Sequence, residues 1–248
     1  LAISFFTLKQ IAFIVDSYEG LVKEKSFINY TIFVTFFPQL IAGPIVHHRE
    51  MMPQFNVENY KFLNGNFKLG LFIFSIGLFK KVMLADTLSI WVDNSFSNAE
   101  TLSILAAWVA SITYSFQLYF DFSGYTDMAL GLALLFNIKL PHNFNSPFLA
   151  SSIIEFWSRW HITLTNFITT YIYTPILRSS KKLTFTWAML ATFFTFQVAG
   201  IWHGAEWKYI LFGALHGAAL VINHIWKKFK FRLNRYVAWI VTFIFVCI

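Results

Sequence analysis

A histidine at the end of an apolar stretch is the strongest candidate for chemistry. His203 lies between Trp202 and Gly204, where an apolar run of helical length gives way to a tight turn. A neutral imidazole near physiological pH can take a proton from a hydroxyl group, and burial favours the neutral form. His203 is therefore a candidate general base, although its local sequence equally fits a turn histidine that hydrogen-bonds to the backbone.

A second histidine lies among aromatic and charged residues. His161 follows Arg159 and Trp160 in a polar stretch between apolar runs. Ionisable groups inside membrane segments are costly and usually face a functional interior, which makes His161 a candidate for the same site. Its neighbours fit an interfacial anchor as well. Glu155 and Arg159 are four residues apart, and we expect them to form an intrahelical ion pair rather than to act chemically.

Two carboxylates flank a glycine in an otherwise apolar segment. Gly124 predicts a helix break between Asp121 and Asp127. Asp121 shares a helix face with Tyr125, and it is a candidate to orient a histidine or to shape an acceptor site. Asp127 is better interpreted as the N-cap of a helix that begins at Met128, because aspartate is favoured at that position.

The sequence has no recognisable motif for a metal or for a covalent serine mechanism. His47, His48 and Glu50 lie in a predicted loop, so they lack the helix face on which metal ligands four residues apart meet. His203 and Glu206 have no zinc-type spacing either. No G-x-S-x-G elbow, P-loop or G-x-G-x-x-G occurs, and the single cysteine excludes a cysteine-based zinc cluster. We expect no bound metal.

The composition indicates that membrane helices position these residues. Hydrophobic residues make up 57% and charged residues 12% of the 248 residues, and the mean hydropathy is +0.57. A soluble domain usually carries about twice that share of charge. The net charge of +7 does not indicate nucleic-acid binding, because basic residues occur in short groups between apolar runs, as at Lys80-Lys81 and Lys227-Lys228. This distribution is typical of the loops of a membrane protein and favours membrane lipid, rather than nucleic acid, as the partner.

Seven apolar runs and an unfinished eighth predict an all-α, polytopic transmembrane protein. Three runs are long enough to span a bilayer unaided, whereas the short or interrupted ones predict broken or re-entrant helices along a cavity. The chain has no internal repeat or linker, so we interpret residues 1–248 as one domain. Because it opens with Leu1 rather than Met and stops within a short apolar run, we expect a fragment truncated at both ends. The seven runs are Leu1–Val15, Phe27–Val46, Phe67–Phe79, Leu102–Phe120, Met128–Ile138, Leu183–Trp202 and Trp207–Trp226.

Basic loops beside the last two complete runs predict the orientation. Residues 178–182 precede one run and residues 227–232 follow the next. Two consecutive spans place both loops on one side, which the positive-inside rule makes the cytoplasm. The turn 200–207 then lies at or toward the opposite side. Residues 151–177 mix tryptophan and tyrosine with polar side chains, which is typical of a helix at the interface or along a cavity.

Five motifs, in order along the chain, resemble those of the membrane-bound O-acyltransferase (MBOAT) family. Glu155–Leu164 is similar to the E-F-W-x-R-W-H pattern, and Gly200–Gly204 is similar to G-x-W-H-G. The other three are Phe37–Pro44, Tyr119–Asp127 and Leu140–Phe148. Within the family the chain most resembles the bacterial branch of alginate O-acetylation proteins, which includes peptidoglycan O-acetyltransferases and the teichoic-acid D-alanyl transfer protein.

The resemblance implies an enzyme of the bacterial inner membrane without a bound cofactor. It would move an acyl group, preferably acetyl, from a cytoplasmic thioester donor to an extracytoplasmic polysaccharide hydroxyl or to a relay partner protein, such as a periplasmic acyltransferase. His203 would be the essential histidine of a central tunnel, with His161 as its partner. Thr169-Thr170 departs from the Arg-Asp pair that bacterial members often carry. The expected substrate-binding residues are Asp121, Tyr125, Trp160, Trp202 and Asn143.

Two other classes of protein remain open. A transporter or flippase would also have broken helices and intramembrane residues such as Asp121 and His161, although no inverted repeat is present. A noncatalytic membrane scaffold for a periplasmic acyltransferase is the third class. Replacing His203 separates them, because an enzyme loses turnover while a scaffold retains its partner's activity. The sequence does not choose among alginate-like polymer, peptidoglycan and teichoic acid, or between acetyl-CoA and an acyl-carrier thioester.

Overall fold

All regular secondary structure in the described part of the chain is helical, as the sequence predicts. The computed structural model describes residues 2–24, 26–40, 43–55 and 61–248. Ile41 and Ala42, which belong to the motif Phe37–Pro44, and Leu1 of the first apolar run lie outside the described residues. The helices are α1 (Ala2–Tyr18), α2 (Phe27–Thr35), α3 (His48–Met51), α4 (Asn64–Phe79), α5 (Asp86–Ser97), α6 (Ile104–Leu135), α7 (Ile153–Trp157), α8 (Ile162–Ile168), α9 (Thr174–Arg178), α10 (Phe185–His203), α11 (Trp207–Lys228) and α12 (Arg235–Val246).

Two helices of the described chain, α10 and α11, are long and apolar enough to cross a membrane. The apolar run Phe27–Val46 has sufficient length but is not one helix, because α2 ends at Thr35. Residues 151–177, which the sequence predicts as a helix at the interface or along a cavity, form three short helices instead, α7, α8 and α9. A π-helical segment at Thr169–Tyr173 joins α8 to α9, and another at Lys80–Ala85 joins α4 to α5.

The chain divides into two compact units. The first consists of Leu1–Asn143 with Cys247–Ile248, and the second of Phe144–Val246. The interpretation of residues 1–248 as one domain stays a prediction.

Paired glycines bring α4 against α6 in the first unit. A Cβ added at Gly77 would lie 2.5 Å from the carbonyl oxygen of Gly124, and one added at Gly70 would lie 2.7 Å from that of Gly131. These distances leave no room for a side chain, so the two helix backbones are in direct contact. Such close approach through small residues is typical of helix pairs in membranes.

Gly124 therefore does not break a helix, and the predicted break between Asp121 and Asp127 is wrong. α6 runs without interruption over 32 residues from Ile104 to Leu135. The contact with α4 explains the glycine, since it offsets the low helix propensity of that residue. Asp127 lies inside α6 and is not the N-cap of a new helix. Its carboxylate accepts a hydrogen bond from Lys80 Nζ at 2.6 Å.

Alanine in place of Gly77 is expected to lower the free energy of unfolding by about 1–3 kcal/mol, because its Cβ meets backbone atoms of α6. Gly65 provides a matched control on the same helix, since a Cβ there meets nothing within 4 Å. Alanine at Gly65 is expected to raise stability by up to about 1 kcal/mol through helix propensity. Thermal unfolding of the detergent-solubilised protein measures both variants. Equal effects at the two positions would contradict the direct backbone contact.

In the second unit α10 packs along α11, again through glycines. A Cβ added at Gly213 would lie 2.6 Å from the carbonyl oxygen of Phe196, and one added at Gly200 would overlap the carbonyl group of Tyr209. α7 packs against α11 as well. One cluster of buried apolar side chains in this unit consists of Ala150, Ile153, Phe156 and Leu220. This packing sets the short helices of residues 151–177 beside the two long ones.

Candidate active site

The segment that carries His161 begins with a closed network of polar side chains. Ser152 caps α7, since its side chain accepts a hydrogen bond from the backbone N–H of Glu155. Arg159 Nη2 donates to Glu155 Oε1 at 2.7 Å, which confirms the predicted i,i+4 ion pair. The other carboxylate oxygen accepts from the backbone and the hydroxyl group of Ser151, both at 2.8 Å. Glu155 and Arg159 thus shape the turn after α7.

His161 lies at the end of this turn in an unusual backbone conformation. It is the N-cap of α8 with φ 46° and ψ 52°, the left-handed region. That conformation costs a residue other than glycine about 1–2 kcal/mol. The side chain is buried, with 3% of the residue exposed. Strained backbone at a buried ionisable residue persists where the surrounding structure enforces it, and it supports a functional role for His161.

His203 is the last residue of α10, as the sequence predicts, and Gly204 is the C-cap. Its imidazole is half-buried among aromatic rings. The ring centroid of His203 lies 4.8 Å from that of Trp202, 5.8 Å from that of Phe212 and 6.3 Å from that of Tyr209. Gly204 permits this arrangement, because a Cβ there would overlap the ring of Tyr209. We call Trp202, Tyr209 and Phe212 the aromatic surround of His203.

The second unit brings the two histidines together. His203 lies near enough to His161 for the two imidazoles to interact electrostatically. An imidazole in apolar surroundings can accept a proton from a hydroxyl group, and a neighbouring imidazole can donate a hydrogen bond to a developing oxyanion. The pair therefore supplies two groups that acyl transfer to a hydroxyl requires.

The predicted substrate-binding residues fall in both units. Trp160 and Trp202 lie in the second unit with the histidines, and the ring of Trp160 stacks on that of Phe156 at a centroid distance of 5.7 Å. The roles of these two tryptophans in substrate binding stay predictions.

The other three predicted substrate-binding residues lie in the first unit. Asp121 forms an ion pair with Lys81, whose Nζ lies 2.5 Å from one of its carboxylate oxygens and 2.6 Å from Asp86 Oδ1. Tyr125 is half-buried one helical turn after Asp121, and Asn143 is buried with 2% exposed. A role for Asp121, Tyr125 or Asn143 in substrate binding stays a prediction.

One functional candidate, His216, was not identified from the sequence. His216, on α11, accepts a hydrogen bond at Nδ1 from the indole N–H of Trp157 at 3.3 Å. Its ring centroid also lies 4.5 Å from that of Phe212, which belongs to the aromatic surround of His203. A lone histidine in an apolar run has no local motif. The four-residue spacing from Phe212 to His216, one helical turn, is the only signal in the sequence.

Asp16, His47 and His48 are the one group within the described ranges whose ligand atoms converge as a metal site requires, all within 4.8 Å of one another. Asp16 Oδ2 lies 2.9 Å from His47 Nε2, 2.8 Å from His48 Nε2 and 3.3 Å from Arg49 Nη2. Burial lowers the pKa of His47 to about 4, so its imidazole is neutral. Its Nδ1 accepts the backbone N–H of Arg49, which leaves Nε2 as the donor to Asp16. These contacts fit a hydrogen-bonded polar cluster better than a metal site.

Comparison with known proteins agrees with the motifs. The chain is 48% identical to the peptidoglycan O-acetyltransferase of Helicobacter pylori, over 99% of the chain and 52% of that protein. It is 38% identical to the probable alginate O-acetylase AlgI of Pseudomonas aeruginosa, over 100% of the chain and 47% of that protein. It is 29% identical to the teichoic acid D-alanyltransferase of Bacillus subtilis, over 100% of the chain and 66% of that protein.

The chain spans about half the length of the first two of these relatives. The model of MBOAT, the membrane-bound O-acyltransferase family, matches residues 1–248. The motifs that carry His161 and His203 lie within this match, and the resemblance inferred from the sequence is confirmed. The chain therefore belongs to the membrane-bound O-acyltransferase family.

Proposed function

We propose that the protein is an O-acyltransferase that moves an acyl group from a thioester donor to a hydroxyl group outside the cytoplasm. The observation that carries the proposal is the pair of His161 and His203, which interact within one unit of a chain of this family. Burial of His161 and the aromatic surround of His203 support it, because they limit the access of water to the two imidazoles.

In the proposed reaction His203 accepts the proton of the acceptor hydroxyl group. The hydroxyl oxygen attacks the thioester carbonyl carbon, and the carbonyl oxygen gains negative charge in the tetrahedral intermediate. An N–H of His161 donates a hydrogen bond to that oxygen. The carbon–sulfur bond then breaks, His203 returns the proton to the leaving sulfur, and the products are an ester and a free thiol. No metal takes part in this scheme.

The proposed direction of transfer is across the bacterial inner membrane. Basic residues lie at positions 178–182 before α10 and at 227–232, at and after the end of α11. The positive-inside rule then assigns these two loops to the cytoplasm. His203, at the far end of α10, would lie at or toward the opposite face. We propose a multi-pass protein with a tunnel in which donor and acceptor meet without either crossing.

The proposed acyl group is acetyl and the proposed acceptor is a cell-envelope polysaccharide or a relay partner protein. The names of two relatives, a peptidoglycan O-acetyltransferase and a probable alginate O-acetylase, support acetyl transfer. The name of the third relative, a teichoic acid D-alanyltransferase, supports an acceptor in the cell envelope. The proposed co-substrate is an acetyl thioester, and the scheme includes no bound cofactor.

The proposal is tested by the ester-linked acyl groups of the cell envelope. Mild alkali releases them from purified polysaccharide fractions, and chromatography distinguishes acetate from alanine. We expect cells that lack the protein to lose ester-linked acetate from one fraction and to regain it when the gene is restored. Unchanged acyl esters in every fraction would refute the proposed function, and loss of alanine alone would refute acetyl as the acyl group.

A further inference from the structure

A third histidine lies beside the site without a role in the proposed reaction. His216 follows Phe212 by one turn of α11, and Phe212 contacts both His216 and His203. The ring centroids lie 4.5 Å apart for Phe212 and His216 and 5.8 Å apart for Phe212 and His203. A polar residue in this apolar environment is costly unless it is hydrogen-bonded, so its partner indicates what it does.

The partner of His216 is the last residue of α7. The indole N–H of Trp157 donates to Nδ1 of His216 at 3.3 Å, with the two rings nearly perpendicular at 84°. Because Nδ1 accepts, the neutral imidazole carries its proton on Nε2. The ring of Trp157 also packs against Phe196 on α10, at a centroid distance of 5.1 Å. The hydrogen bond thus fixes how α7 sits on α11.

Thr165 connects Trp157 to His161 through two hydrogen bonds. The carbonyl oxygen of Trp157 accepts a hydrogen bond from Thr165 Oγ1 at 3.2 Å, and that of His161 accepts from the Thr165 N–H at 3.0 Å. Thr165 therefore binds both ends of the turn that runs from Trp157 to His161. This turn leads into the left-handed His161, and we therefore expect a displaced indole to shift the His161 imidazole.

We propose that His216 is a positioning residue for acyl transfer. By accepting the indole N–H of Trp157, it holds the turn that sets His161 beside His203. The inference rests on the proposed function, in which His161 and His203 act on the reacting groups and His216 acts only through Trp157.

The test uses substitutions that remove or keep the hydrogen bond, with the rate of ester accumulation in the envelope as the readout. Leucine at His216 removes the acceptor, and phenylalanine at Trp157 removes the donor but keeps an aromatic ring. Each is expected to slow transfer about tenfold. Asparagine at His216 presents an oxygen near the position of Nδ1 and is expected to retain at least about a third of the rate. The double variant of Trp157→Phe with His216→Leu should be no slower than either single variant.

Controls separate positioning from loss of the fold and from failure of the proposed function. His224→Leu, two turns further along α11, is expected to leave the rate unchanged, and thermal unfolding checks that Trp157→Phe stays folded. Wild-type rates in His216→Leu and Trp157→Phe would overturn the positioning role of His216 but not the proposed function. Equal rates for the asparagine and leucine variants at His216 would do the same. Full transfer by His203→Ala would instead overturn the proposed function.

Discussion

Cells that carry His203→Ala are expected to lose ester-linked acetate from their envelope polysaccharide, with a rate of transfer at least about a hundredfold below wild type. General base catalysis by a positioned side chain contributes about 10²–10⁴-fold, and alanine leaves no group to accept the hydroxyl proton. Binding of donor and acceptor is expected to persist, because the aromatic surround of His203 is unchanged. The measurement is acetate released by mild alkali at matched abundance of the protein in the membrane.

His224→Ala provides the matched control for this prediction. His224 lies near the end of α11, apart from the aromatic surround of His203. We expect its replacement to leave the ester content unchanged. If His203→Ala also retained full transfer, the transporter and scaffold classes would replace the enzyme, since neither requires a proton acceptor at this position.

The second large effect is expected at His161, where Asn is the informative substitution. Asparagine tolerates the left-handed backbone conformation better than most residues, so the turn after α7 is expected to persist. It cannot reproduce the reach of the imidazole toward His203. Removing one oxyanion donor costs about 10²–10³-fold in rate, and we expect a loss of that size.

Two measurements separate chemistry from backbone strain at His161. Thermal unfolding of His161→Asn is expected to match wild type within about 1 kcal/mol. Lys230 is the control, because it has φ 58° at an exposed position. Lys230→Asn is expected to change neither stability nor transfer. Normal transfer by the stable His161→Asn protein would show that this imidazole has no part in the reaction.

The sequence predicted the parts of this site that depend on local pattern. His203 was placed at the end of an apolar helix from the change in composition at Gly204, and the ion pair of Glu155 with Arg159 followed from their spacing. The interaction of His161 with His203 was expected only through family resemblance. The two residues are far apart along the chain, so no local periodicity predicts that they lie close together. Their proximity depends on the tertiary packing of α7 and α10.

The sequence interpretation failed where the same residue type has two structural uses. Glycine marks a break when it ends a helix and a contact when another backbone lies against it, and Gly124 is of the second kind. The misassigned cap at Asp127 followed from that error. His216 was missed for a related reason: its partner, Trp157, lies on another helix, and only their hydrogen bond gives the residue a role.

The central claim is that His161 and His203 serve one reaction, His203 as the base and His161 as the oxyanion donor, and the double variant tests it most directly. Loss of the base leaves the stabilisation that an oxyanion donor supplies, so the second substitution is expected to lower the rate further. We would measure ester-linked acetate in wild type, both single variants and the combination of His203→Ala with His161→Asn, at equal membrane abundance. The account predicts that the double variant transfers more slowly than His203→Ala alone, because the oxyanion donor is lost as well. A double variant that transfers at the rate of His203→Ala would contradict it, since His161 would then have no role of its own in the reaction.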